Sequence, residues 1–409
     1  MTIAALELLS FGLGRIVAAA ADAGHRLVLL TADRAVYRHE LAHLPPDARG
    51  AFDVVDVDTL DPAASAAALA GIPDLAGLIN STDTFGVVAA DLAAGLGLPG
   101  PEPAAVRLVR DKAAVRALLH DRGLSRLPAR PLTGEDPAAD AATVLDAIGL
   151  PAVLKDTAGT SSRGVWLVRD EAALRAALTA AAGTPLRGGL FAEPLAAGPL
   201  YSAETLSWAG RTRLLGVCSR LVSPEPAVRE EAASFPVALP GPEAAGVEEW
   251  IGRLLAAVGH EAGFAHVEFV LTERGPELVE INRRIGGALV GEALCRRLGV
   301  NVYDALIDTT LGRRPGLLDA PRDAGPASGF VLVYPPTAGT LTGWSGLDAL
   351  SAFPGNPEWY PTLSPGDRVH HLDDQRGCTG LLLTEAPTAE LALHRALAAA
   401  GSVHPLMAP

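Results

Sequence analysis

Residues 264–287, FAHVEFVLTERGPELVEINRRIGG, constrain this chain more than any other stretch. Val267, Phe269 and Leu271 alternate with His266, Glu268 and Val270, the period of a strand with one face buried. Thr272 to Pro276 interrupts the alternation. It then resumes with Leu278, Glu280, Asn282 and Arg284 on one face. A turn centred on Arg274 sets Glu268 opposite Glu280, with Cβ atoms about 5 Å apart. Carboxylates so placed repel, and more strongly as water is removed. A divalent cation would relieve the repulsion, and Mg²⁺ favours carboxylate oxygens completed by water and phosphate. Asn282 adds a neutral oxygen and Arg284 a fixed positive charge. A solvated hairpin that merely tolerates its charges is the alternative.

The chain has 33 basic residues, yet only Lys112 and Lys155 are lysines; the other 31 are arginines. Lysine offers a compact, flexible ammonium that arginine does not. Lys155 ends a short apolar run, 152–155, and is followed by Asp156-Thr-Ala-Gly-Thr-Ser-Ser-Arg-Gly164 and a second run, 165–168. A Gly/Ser/Thr loop between antiparallel strands can wrap backbone N–H groups around phosphate, with Ser161, Ser162 and Gly164 as candidate contacts. Lys112 is expected in the middle of one helix over 103–123.

The opening residues read as an α/β domain: a strand over 3–9, a Gly12-x-Gly14 turn, a helix and a strand running to Asp33. Gly12, Gly14 and Asp33 invite a dinucleotide reading, but Val17 stands at the third glycine position, so the fingerprint is incomplete. Ser81-Thr82-Asp83 follows a strand over 75–80 and is read as a helix cap, although ligands also bind at such strand ends. Residues 229–236 read as irregular and polar. The 315–329 stretch, rich in Pro, Gly and Asp, reads as a linker, and the last 80 residues as short strands with a helix over 389–400. The expected division is an N-terminal α/β domain at 1–104, a core at 105–315 with a small lid at about 125–195, and a C-terminal α+β domain at 316–409.

A net charge of −14 with no basic cluster argues against nucleic-acid binding. No apolar run is long enough for a membrane span. The N-terminus lacks a basic segment ahead of its apolar run, so no signal peptide is expected. Cys218, Cys295 and Cys378 have neither metal-ligand nor disulfide spacing. A reducing cytoplasm is the expected setting.

Together, these segments resemble the ATP-grasp superfamily of carboxylate–amine ligases. Lys112 and Lys155 match its two nucleotide lysines, and Glu193-Pro194-Leu195 the hinge that holds adenine. Glu268 and Glu280-Ile281-Asn282-Arg283-Arg284 match its acid–acid–Asn–x–Arg signature. The resemblance implies an ATP-grasp fold with ATP and two Mg²⁺ ions, held by Glu268, Glu280 and Asn282, with Arg284 at the transferring phosphate. Residues 195–205 and 280–287, with the Pro335-Pro336 segment, look most like the L-amino-acid ligases that make dipeptides. That implies small-molecule carboxylate and amine substrates, Glu204 and Glu230 facing a substrate ammonium, and a homodimer as a compatible assembly. Departures are Arg283, usually proline, Ala192 in the hinge, and Leu200 in place of a ribose-binding acid. A carrier-bound acceptor, an oxidoreductase using Gly12 and Gly14, and a non-catalytic ATP-binding regulator remain as other readings.

Overall fold

A computed structural model of the protein describes residues 1–44, 50–225, 228–241, 245–321 and 324–409. The N-terminal part is a four-stranded parallel sheet in the order Phe52–Asp56, Arg26–Thr31, Thr2–Leu6, Leu75–Ile79. Its two central strands are buried throughout apart from Arg26, and apolar between Thr2, Arg26 and Thr31, as expected of strands covered on both faces. The first strand ends at Leu6, earlier than the apolar run suggests. Glu7 turns the chain there, and its buried carboxylate accepts hydrogen bonds from Thr31, Ala32, Tyr37 and Thr59.

The single helix expected over 103–123 is two helices, Pro103–Arg110 and Lys112–Asp121. Asp111 is extended and caps the second, accepting from the N–H of Ala114 at 3.0 Å. This cap breaks an otherwise continuous helical pattern. Lys112 is therefore the first residue of a helix, where its side chain reaches outward past the helix end.

A small antiparallel sheet follows, in the order Arg130–Leu132, Leu190–Pro194, Ala152–Asp156, Val165–Val168. The helices Pro137–Ala147 and Glu171–Ala182 contribute Val144, Leu174 and Leu178 to its core.

The largest sheet has eight antiparallel strands: Gly275–Asn282, Gly263–Thr272, Leu200–Trp208, Arg211–Val222, Glu230–Phe235, Ala327–Val333, Gly380–Ala386 and Glu358–Pro361. It runs without a break from the central hairpin into the C-terminal part, closed by the helix Ala389–Ala400. The expected linker overlaps this sheet, because residues 327–329 begin a central strand; positions 322 and 323 lie outside the described residues.

Glu230–Phe235, expected to be irregular, is an internal strand of this sheet. Its buried residues are mainly Ala232, Ala233 and Ser234, too small to give an apolar alternation. Its two leading acids disguise it further, although Glu230 is itself buried. Among the described residues no helix is long and apolar enough to cross a membrane.

Candidate active site

Glu268 and Glu280 are direct cross-strand partners, as are His266 and Asn282. The expected register holds over this half of the hairpin. Nearer the turn it slips by one residue: Phe269 pairs with Leu278, leaving Val279 as a bulge. The bulge reconciles a two-residue turn at Glu273-Arg274 with the register at the carboxylates.

Both carboxylates line a cleft of about 550 Å³ walled by the two smaller sheets and the large one. Burial would raise the pKa of Glu280, but the Lys112 ammonium, the Asn282 amide and Arg284 outweigh it and hold it at about 2. Lys112 Nζ lies 3.2 Å from Glu280 Oε2, and Asn282 Nδ2 donates to Oε1 at 2.8 Å. Burial and the Glu280 charge push Glu268 up; Arg220 and His266 pull it below its ordinary value. Two ionised carboxylates thus face each other, each stabilised from its own side.

Glu268 belongs to an alternating row of buried charges. His266 donates through Nδ1 to Glu204 at 2.7 Å and through Nε2 to Glu268 at 3.2 Å. Despite its burial, Glu204 and Glu268 raise its pKa to about 9, so the ring is an imidazolium. Gly286 makes room for it: a Cβ there would stand 2.7 Å from His266 Nδ1. Arg220 then bridges Glu268 at 3.4 Å and Glu230 at 3.0 Å.

Glu204 and Glu230 part company here. Glu204 is 1% exposed, lies behind His266 and does not line the cleft. It holds the imidazolium from the side away from the cleft. Glu230 does line the cleft. Its pKa is raised by burial against the pull of Arg220, and its Oε1 has no protein partner.

The two lysines converge on the cleft from different elements. Lys112 Nζ also donates to the Gly159 carbonyl at 2.7 Å, tying the 157–164 loop to the carboxylate pair. Lys155 is directed at Glu193, 2.6 Å away, whose other oxygen accepts from Arg116 Nε at 2.7 Å. Burial raises the pKa of Glu193, and Arg116 and Lys155 more than reverse this. The Glu193 carboxylate is therefore a clamp for two cations at the wall of the cleft. Leu195 lines the cleft, but its N–H is already taken by the Pro151 carbonyl at 3.0 Å.

In the loop, Ser161 and Ser162 have left-handed backbones and line the cleft, and Ser162 Oγ donates to the Val228 carbonyl. Gly164 does not line it. It closes the loop base, its carbonyl accepting from Asp156 N–H.

Arg284 reaches back to the N-terminal domain, donating to Asp83 from Nε at 2.9 Å and Nη2 at 2.5 Å. Asp83 is thus no helix cap. The following helix, Gly86–Gly95, has Phe85 at its N-cap and no side-chain cap bond. Sequence reasoning also missed Arg116, Arg220 and His266. Arg116 stands four residues after Lys112 on one helix, and His266 two before Glu268 on one strand, spacings that signal a shared face.

The Gly12-x-Gly14 turn is occupied by the protein itself. Glu40 Oε2 accepts from Gly14 N–H at 3.0 Å, and Tyr303 leaves no room for a Cβ at Gly12. Asp33 caps the short helix after it, accepting from Ala35. A carboxylate where a pyrophosphate would sit argues against the dinucleotide reading.

Among the described residues no group of three His, Cys, Asp or Glu side chains is placed to hold a metal. Glu268, Glu280 and Asn282 nevertheless form a hard oxygen set beside an open cleft, which fits Mg²⁺ completed by phosphate and water.

Residues 148–292 match the ATP-grasp domain family, a span that includes Lys155, Glu193, Glu268, Glu280, Asn282 and Arg284. The chain carries an ATP-grasp domain. Residues 331–407 match the L-amino acid ligase C-terminal domain 2. The fold is similar over the whole chain to that of an L-amino acid ligase from Bacillus licheniformis (TM-score 0.83, 19% identity, 100% of this chain and 99% of that one). An uncharacterised Sinorhizobium fredii protein is 27% identical over 88% of this chain and 73% of its own length. Human carnosine synthase 1 is 28% identical over 68% of this chain and 36% of its own, so the match spans little more than a third of that protein.

Proposed function

We propose that this ATP-grasp protein is an ADP-forming ligase that activates a carboxylate as an acylphosphate and couples it to the amine of an amino acid, giving an amide or dipeptide. The observation that carries this reading is the opposed, ionised Glu268–Glu280 pair, with Lys112, Asn282 and Arg284 around the same cleft. Such a set suits phosphoryl transfer, in which the protein positions reactants and neutralises charge. The kinship with L-amino acid ligases in the C-terminal segment and with carnosine synthase supports an amino-acid acceptor.

Glu268, Glu280 and Asn282 would hold Mg²⁺ (two ions), which when bound offsets the charge of the β- and γ-phosphates. In the first step a substrate carboxylate oxygen bonds to the γ-phosphorus of ATP, and the bond to the β–γ bridging oxygen breaks, releasing ADP. In the second, the amine nitrogen bonds to the acyl carbon, inorganic phosphate leaves, and the nitrogen gives up a proton. Lys112 and the 157–164 loop are assigned to the phosphates and Arg284 to the transferring phosphoryl group. Glu230 is assigned to the substrate ammonium.

The test is ADP release over a panel of amino acids, singly and in pairs, with product masses and with hydroxylamine as a trap. ADP, phosphate, a hydroxamate and a coupled product are expected. AMP and pyrophosphate would identify an adenylating enzyme and refute the ligase reading. ADP with a phosphorylated alcohol would make it a kinase.

A further inference from the structure

The strand end that carries Asn282 and Arg284 also walls a second cavity, of about 580 Å³. It lies between the helices Gly86–Gly95 and Pro103–Arg110 and the segment 259–264. Ala89, Ala90, Ala93, Val106 and Leu306 give it an apolar wall, and its rim carries the acids Asp83, Glu102 and Glu261 and the bases Arg110, Lys112 and Arg284. Arg283 lines this cavity and not the first cleft.

Arg283 differs from its neighbour in one respect that matters. Arg284 is matched by Asp83. Among the described residues Arg283 has no carboxylate partner, and its one hydrogen bond runs from Nη1 to the Gly259 carbonyl at 3.4 Å. Its Nε and Nη2 have no protein partner and are not sealed off within the protein. A partly buried guanidinium without a counter-charge costs stability, and the fold keeps one beside a cavity large enough for a small ligand.

We infer that this cavity binds a small monocarboxylate with an apolar body. The Nε and Nη2 donors form one edge of the guanidinium fork, which matches the two oxygens of a carboxylate. The hydrocarbon part packs against Ala90, Val106 and Leu306. Since Glu280 and Asn282 wall both cavities, a ligand here stiffens the strand that carries the metal-site residues. This inference does not depend on the ligase chemistry.

The experiment uses the full-length protein without nucleotide, titrated calorimetrically with hexanoate and, as a neutral control, hexanamide. Hexanoate binds and hexanamide does not. Arg283→Gln weakens hexanoate by about tenfold or more, the loss of a charge-assisted contact. Arg220→Gln, in the first cleft, changes it less than about twofold. On the unmodified protein, hexanoate slows hydrogen exchange across residues 86–110, a readout that needs no variant. Absence of hexanoate binding, equal binding of hexanamide, unchanged affinity in Arg283→Gln, or no slowing across 86–110 would each overturn the inference.

Discussion

Arg284 and Asp83, 201 positions apart, form a two-donor ion pair that fastens the signature strand to the end of the N-terminal sheet. Both side chains line the first cleft. The N-terminal domain therefore sets the direction of a guanidinium that the proposed chemistry needs.

The first prediction follows from that pair. Asp83→Asn keeps the shape but removes the charge that orients Arg284. A charge-assisted hydrogen bond contributes about 1.5–3 kcal/mol, so turnover should fall roughly 10- to 100-fold. ATP affinity, assigned to other residues, should change little. Steady-state kinetics with nucleotide titration checks this. An undiminished rate would show that Arg284 needs no anchor.

How far the sequence foretold this site depended on whether a residue's partner was near it in the chain. Glu268 and Glu280 were legible because one hairpin joins them and strand alternation fixes their face. The bulge at Val279 was not legible, since it reflects a two-residue turn against a fixed register. Asp83 was misread as a cap because its partner lies two hundred residues away, and local patterns favour local partners. Glu204 and Glu230 look alike in sequence, yet only the sheet order shows that His266 stands between Glu204 and the cleft. The continuous eight-stranded sheet was equally hidden. Its central strand is built from small residues after two acids, a pattern without apolar alternation.

Glu280 is the second point of test. Glu280→Gln removes one of the two opposed carboxylates and the partner of Lys112. Turnover should be abolished and Mg²⁺-dependent ATP binding much weakened, with the fold intact. Far-ultraviolet circular dichroism beside calorimetry of ATP with and without Mg²⁺ separates these effects. Near-normal ADP release would remove the hairpin from the active site.

The third prediction contrasts two cations on one helix. Lys112 faces the cleft, so Lys112→Ala should raise the ATP concentration for half-maximal rate, with a loss of stability smaller than that of a fully buried cation because its ion pair with Glu280 is partly exposed. Arg116 is 2% exposed and is bonded to Glu193 and to the Leu278 carbonyl. Arg116→Met would leave the buried Glu193 carboxylate with Lys155 as its one remaining cation and should destabilise the protein by roughly 1.5–3 kcal/mol, the loss of a charge-assisted contact. Urea unfolding of both variants, with ATP kinetics for Lys112→Ala, decides the matter. A stable Arg116→Met protein would contradict the clamp.

The 157–164 loop supplies the fourth. Its base is tied down through Thr157, Ala158, Gly159 and Gly164, but its tip, 160–163, reaches the rest of the protein through Ser162 to Val228, as befits a segment that opens at low cost. Its amide exchange should be fast in the free protein and slow on adding ATP and Mg²⁺. Exchange that ignores nucleotide would mean the loop does not cover the phosphates.

The fifth prediction concerns acid stability and His260. Its Nε2 donates to the Gly263 carbonyl at 3.1 Å, and its Nδ1 has no partner. Burial, aided by the charge of Arg283, lowers its pKa to about 3, against about 6.5 in an unfolded chain. The sign follows from proton counting. Above about pH 6.5 the ring is neutral in both states and folding is not penalised. Between that point and pH 3 the unfolded chain binds a proton that the folded one refuses. Stability is therefore lost as pH falls, by about 1.4 kcal/mol per unit for this group. His260→Gln cannot titrate yet keeps a donor for the Gly263 carbonyl. Urea unfolding of the two proteins from pH 7 to pH 4.5 should show the native chain losing stability more steeply, the gap widening by a few kcal/mol. Parallel pH profiles would mean that His260 is protonated as easily inside the fold as outside it.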